Sequence, residues 1–298
     1  MMSVDVTPDV MRMHNDAVSA EESLERRDSS AAPVLQAIDL TKKFRRASGS
    51  RLGGGDLFTA VDHVSFSMAE GELLGLLGES GCGKSTLARM LMHLIPPTEG
   101  RIILDGMEIQ SMRESAFRRK RHLIQMVYQN PFDCLDPTRR VSSLLAEPLK
   151  LWHPAMNEEE RKERIHAMIM DCGLPENCLV KRPREFSGGQ LQRIAIARAL
   201  LAEPKILVAD EIISALDVSI QNQILQLLLK MKEEYRLSIL FITHDLSVAR
   251  KMSDRVMVMQ GGKLKGIGKP EEVFAQTSEP YIRDLAEAVF TFSGNAGS

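Results

Sequence analysis

Residues 78–86, Gly78-Glu79-Ser80-Gly81-Cys82-Gly83-Lys84-Ser85-Thr86, restrict this chain more than any other feature. They stand directly behind the apolar run Leu73-Leu74-Gly75-Leu76-Leu77 and directly before a stretch of helical periodicity reaching Leu94. An apolar run without polar alternation reads as a strand covered on both faces. Strand, glycine turn and helix together form the context in which G-x-x-x-x-G-K-[ST] binds phosphate. Glycines at 78, 81 and 83 let successive backbone N–H groups turn inward around phosphate oxygens, and the helix N-terminus adds positive potential, so that all nine residues, Glu79, Ser80 and Cys82 included, line the nucleotide. Lys84 would reach the β and γ phosphates, Ser85 would hold Mg²⁺, and Thr86 would place a hydroxyl near the α phosphate. The loop implies a nucleotide but no reaction, because kinases, GTPases, helicases and transporters all use it.

The remaining pattern predicts an α/β fold. Short half-buried strands are expected around Val34 to Leu40 and Val61 to Met68, with a Gly-rich loop between them over Ser48 to Asp56. Further strands are expected at Ile102 to Leu104 and Ile124 to Tyr128. Three unalternating ones follow, at Ile206 to Ala209, Ile239 to Thr243 and Val256 to Gln260. The helical spacing of Ile220, Ile224, Leu225, Leu228 and Met231 supplies a crossover and so predicts parallel pairing. Between the strands, Asn157 caps a helix with Glu160 at its third position and Gly173 at its end, and a second helix runs from Leu191 to Leu201. Residues 1–33 lack a period of either kind and read as a mobile tail. A short acidic helix after Pro270 and a polar end close the chain.

Composition narrows the class by exclusion. Of 298 residues 44% are hydrophobic and 26% charged, an ordinary globular mixture sufficient for one large domain or two modest ones. A net charge of −2 offers no basic field for nucleic acid, and Arg118-Arg119-Lys120-Arg121 reads as a solvated helix face. Cys82, Cys134, Cys172 and Cys178 have no metal or disulfide spacing, which fits a reducing cytosol. No run of ~18 apolar residues can span a bilayer, and no apolar signal segment opens the chain. If the protein works at a membrane, another subunit holds it there.

Downstream of the loop, Ile206-Leu207-Val208-Ala209-Asp210-Glu211 ends an apolar strand in two carboxylates. Asp210 would meet Mg²⁺ near Ser85, leaving Glu211 to accept a proton from water attacking the γ phosphate. Phe186-Ser187-Gly188-Gly189-Gln190 then Leu191-Gln192-Arg193 forms a small-residue turn opening a second helix. With these residues the chain resembles the ATP-binding cassette (ABC) proteins. Ser187 to Gln190 matches their signature, Gln129 their Q-loop, Ser214-Ala215-Leu216-Asp217 their D-loop and His244 their switch histidine, over about residues 34–270.

The resemblance implies a P-loop NTPase (RecA-like) fold, with a mostly parallel sheet core, an antiparallel β part and an inserted helical subdomain over about 130–200. Residues 34–270 would form the ATP-binding domain and 271–298 a short extension. It implies ATP and Mg²⁺ as cofactors. Gln129 would contact Mg²⁺ or the attacking water, His244 would hold the γ phosphate, and Phe44 would stack on adenine, though an ordinary core Phe fits there equally. Ser187, Gly188, Gly189 and Gln190 would act on a partner's nucleotide, so hydrolysis would require a dimer. Ile212 stands where the family usually has Pro, which relaxes φ beside the base.

Gln129-Asn130-Pro131-Phe132, Leu135-Asp136-Pro137 and Glu279-Pro280-Tyr281 resemble, more narrowly, the dipeptide/oligopeptide/nickel importer ATPases. That implies a peripheral subunit on the cytoplasmic face of the inner membrane. Its partners would be two transmembrane permeases, a periplasmic or extracellular substrate-binding protein and a second ATPase, with a heterodimer ahead of a homodimer. Cargo stays open between peptide and nickel or metal chelate. With no cysteine after Cys178, no iron–sulfur cluster is expected. Two rivals remain: a soluble ABC ATPase acting on nucleic acid or ribosomes, which the neutral charge disfavours, and a cassette that binds ATP without turnover, against which Lys84, Glu211 and His244 argue.

Overall fold

The computed structural model describes residues 32–45, 57–275 and 277–294. The expected tail, apart from its last two residues, and the expected loop over Ser48 to Asp56 lie outside the described residues.

The described elements form two sheets. β1 (Leu35–Arg45), β2 (Leu57–Met68), β4 (Glu99–Leu104) and β5 (Met107–Glu108) make an antiparallel sheet in the order β2-β1-β4-β5. β3 (Leu73–Leu77), β6 (Ile124–Val127), β7 (Ile206–Asp210), β8 (Ser238–Ile242), β9 (Arg255–Gln260) and β10 (Lys263–Gly268) make the other, in the order β10-β9-β3-β8-β7-β6. All its pairings are parallel except β9 with β10. The apolar strands obey the two-residue period of a sheet, with a separate core beneath each face. Leu207, Ala209, Ile239 and Phe241 pack with the helices on one side, while Ile206, Val208, Leu240 and Ile242 pack with the antiparallel sheet and α1 (Lys84–Leu91) on the other. Continuous apolarity is what two covered faces require.

The helical segment follows β6. It contains α3 (Val141–Trp152) and α4 (Glu158–Asp171), and leads into α5 (Gly188–Leu200). The capping box at α4 forms as expected: Asn157 Oδ1 accepts from Glu160 N at 3.0 Å, and Glu160 Oε2 accepts from Asn157 N at 2.8 Å. Glu147 ties α3 to α5 by accepting from Arg139 and Arg198, and these guanidinium bonds hold its carboxyl below the usual carboxylate range. Arg193 of α5 donates to Cys172 O at 2.7 Å, closing the end of α4.

The structure departs from sequence expectation at several ends. The helix after the phosphate loop stops at Leu91 rather than Leu94, because His93 turns left-handed at φ 52°. α5 begins at Gly188, three residues before its expected start at Leu191. Elements that carried too little pattern to be read include β5, α2 (Glu114–Arg118), α3, α7 (Leu246–Met252), β10 and α9 (Pro280–Gly294). α6 (Val218–Tyr235) supplies the expected crossover, and α8 (Pro270–Ala275) is the short acidic helix.

Candidate ATP site

The site lies where β3, β7 and β8 end. Gly78, Gly81 and Gly83 hold φ of 151°, 80° and 111°, backbone that side chains rarely adopt. At two of them crowding comes from the protein itself. A Cβ on Gly78 would lie 2.3 Å from Met259 O, and one on Gly83 would lie 2.3 Å from Ala60 O; at Gly81 nothing lies within 4 Å. Gly262 N donates to Cys82 O at 2.9 Å, and Asp62 N donates to Gly262 O at 2.9 Å, so the loop is wedged against β2 and the β9–β10 turn.

Lys84 is buried, and its Nζ donates to Gly78 O at 2.7 Å and Glu79 O at 3.0 Å. Glu211 Oε1 stands 4.0 Å from the same ammonium, and Glu211 Oε2 stands 3.7 Å from His244 Nδ1. Glu211 therefore sits between an ammonium and an exposed imidazole, where a water could be deprotonated. It holds a left-handed φ of 49°, with its N–H donated to Ile242 O at 2.9 Å. Ile212, beside it, is buried in the core under the helices. Burial, then the Glu211 charge, push the Asp210 carboxyl up, while Lys84 and Arg89 pull it down. A half-buried carboxylate short of positive charge is a ligand that a divalent cation relieves, so Asp210, with Ser85 exposed at the start of α1, fits the Mg²⁺ role.

Gln129 is exposed beyond β6, and its Nε2 donates to Ser214 Oγ at 2.9 Å. Ser214 Oγ donates in turn to Glu211 O at 2.9 Å. Because a carbonyl only accepts, the hydroxyl proton is committed to Glu211, so Gln129 must present its NH₂ and its Oε1 is left for the site. Ser214 was legible as part of a motif, but its bridging role was not.

The structure brings Lys84, Asp210, Glu211, Gln129 and His244 together. The signature lies elsewhere on the surface: Ser187, Gly188 and Gln190 are exposed, with Gln190 Oε1 accepting from Ser187 N at 3.2 Å. Gly189 is buried where a Cβ would stand 2.4 Å from Ile220 Cγ2 of α6. Phe44 is 40% exposed on β1 opposite Phe58, with Lys42 Nζ 5.3 Å from its ring centroid. Phe58 is two residues along β2 from Ala60, whose carbonyl faces Gly83, and an open ring at Phe44 suits stacking better than a core role.

A parallel sheet ending in a phosphate loop and paired carboxylates, beside an antiparallel sheet and a helical segment that leads into an exposed signature, defines an ATP-binding cassette. The chain belongs to the ABC transporter family, whose model matches residues 61–214. The oligopeptide transport ATP-binding protein OppF of Escherichia coli (strain K12) is 46% identical over 230 residues, 77% of this chain and 69% of that protein. The oligopeptide transport ATP-binding protein AppF of Bacillus subtilis (strain 168) is 43% identical over 258 residues, 86% of this chain and 78% of that protein. Among solved structures, a dimeric ATP-binding cassette in a post-hydrolysis state, bound to ADP and phosphate, superposes with a TM-score of 0.70 at 30% identity, covering 79% of this chain and 98% of that one. The chain is accordingly an ATPase with the fold expected. No described helix is long and apolar enough to cross a membrane.

Proposed function

We propose that this chain is the ATP-hydrolysing subunit of an importer that powers peptide uptake through two partner membrane permeases. The observation that carries the reading is the intact Lys84, Asp210, Glu211 and His244 cluster in a chain more than 40% identical to oligopeptide transport ATP-binding proteins. Those relatives favour peptide over nickel or a metal chelate, and favour transport over work on nucleic acid.

Residues 34–270 would form the cassette, with a helical subdomain over about 130–200 and an extension beyond. Residues 78–86 cradle the triphosphate, and Lys84 exchanges its two carbonyl partners for phosphate oxygens. Phe44 stacks on adenine. Ser85, Asp210 and Gln129 Oε1 would hold Mg²⁺, which supplies charge neutralisation at the phosphates. Glu211 takes the proton of the attacking water, and His244 holds the γ phosphate and orients that water. Ser187 to Gln190 face outward and complete the site of a second ATPase subunit, with a different polypeptide as first choice. The dimeric architecture of the cassette bound to ADP and phosphate supports such a pairing. The assembly would sit on the cytoplasmic face of the inner membrane and receive cargo from a substrate-binding protein.

Co-purification from detergent-solubilised membranes of the native host, read by mass spectrometry, tests this. Two polytopic subunits, a second cassette and a binding protein loaded with peptide are expected. Recovery in the soluble fraction with ribosomes or DNA overturns transport, and a metal-loaded binding protein overturns the cargo.

A further inference from the structure

The segment after the parallel sheet touches the phosphate loop. Tyr281, in the first turn of α9, brings its hydroxyl to the loop, where Oη accepts the Glu79 N–H at 3.3 Å. The seat of α9 is built. Ile282 and Ala286 are buried with Leu77, the residue before the loop, with Val256 and Val258 of β9, and with Leu246 and Ala249 of α7, the helix that follows His244. Gly266 on β10 leaves the space: a Cβ there would lie 2.7 Å from Ile282 Cδ1. Lys265 Nζ and Glu279 Oε1, 3.1 Å apart, pin the entry to the helix.

We propose that Tyr281 is a positioning residue for the phosphate loop, so that seating of α9 and binding of ATP are one coupled equilibrium. Glu79 is held from both sides, its N–H by Tyr281 and its C=O by Cys82 N at 3.3 Å and Lys84 Nζ at 3.0 Å. When the Lys84 ammonium moves to phosphate, the carbonyl loses its charged donor, and the Tyr281 tether keeps the Glu79 peptide from turning. By reciprocity, whatever ATP gains from a seated α9, the seating of α9 gains from ATP. The proposal rests on ATP binding by this loop and is independent of cargo.

The test uses the full chain and ATP in excess EDTA, so that binding is read without turnover. Hydrogen exchange over residues 280–287 is expected to slow when ATP binds. In Tyr281→Phe, which removes only the hydroxyl, the ATP Kd is expected to rise about five-fold, the range of one hydrogen bond, and the ATP-induced slowing to shrink. In steady-state hydrolysis with Mg²⁺ by the chain assembled with its partner subunits, the loss should fall on KM rather than on kcat, a split that general loosening of the fold would not produce. An unchanged Kd in the variant, or exchange in the wild-type chain indifferent to ATP, overturns the proposal. The wild-type exchange measurement decides alone if the variant does not fold.

Discussion

The phosphate loop and the signature turn are both glycine-rich segments that open a helix, and they use glycine for opposite reasons. In the phosphate loop Gly78 and Gly83 are left-handed, and each would drive a Cβ to within 2.3 Å of a backbone carbonyl of another strand. Around Ser187 the glycines have no left-handed φ, and their neighbours are the side chains of Leu216 and Ile220. The first loop is locked from within, with Lys84 buried and Cys82 and Glu79 bonded to distant segments. The second lies open, with Ser187, Gly188 and Gln190 exposed. A locked loop is a surface that one chain shapes by itself, and on the reading proposed above the open one would complete the site of a second subunit.

The largest effect expected separates chemistry from binding on the locked side. Glu211→Gln should lower phosphate release by about 10²- to 10⁴-fold while equilibrium ATP binding persists, because it removes a base and not a phosphate ligand. Turnover near wild type would show that Glu211 is not the base.

Next come the glycines. Gly83→Ala should destabilise the chain by about 2–4 kcal/mol in urea unfolding, through left-handed strain added to collision with the Ala60 carbonyl. Gly188→Ala, whose Cβ meets only the end of the Leu216 side chain at 3.3 Å, should stay within about 0.5–1 kcal/mol. It should leave ATP binding by the single subunit unchanged and lower turnover only in the assembled dimer. The reverse ranking would break the comparison.

Ser214→Ala should cost about 1–2 kcal/mol of stability by removing the donor to Glu211 O and the acceptor for Gln129, and should lower kcat several-fold as Gln129 loses its orientation. A kcat equal to wild type would make the bridge merely structural.

The smallest effect runs against the usual direction. Because the folded pKa of Asp210 is raised, the folded chain holds that proton more tightly than the unfolded one. Ionisation of Asp210 therefore costs stability as pH rises from the ordinary value through the raised one. Asp210→Asn should raise the nucleotide-free melting temperature at neutral pH by on the order of a degree or two and remove that loss with pH. A lower melting temperature in differential scanning calorimetry would contradict this electrostatic account.

Much of this protein is legible in its sequence because the signals are local. Leu73 to Leu77 and Ile206 to Ala209 read as covered strands without any partner in view, since an uninterrupted apolar run suits a strand with two buried faces. The phosphate loop, the paired carboxylates and the Asn157 cap likewise declare themselves over a few consecutive residues. α9 was hidden because only its seat makes it a packed helix; Ile282 and Ala286 read as a polar tail until Gly266 and β9 are placed beneath them.

The sequence by itself therefore determined the chemistry this chain carries: a loop for phosphates, an acid pair, a histidine and a second glycine turn. Only the tertiary structure decided why Gly78 and Gly83 must be glycine, that Ser214 orients Gln129 toward the site, and that Tyr281, about two hundred residues on, holds the loop it never adjoins in sequence. Those facts depend on which carbonyl or hydroxyl arrives from another strand or helix, and packing, not local propensity, sets that distance.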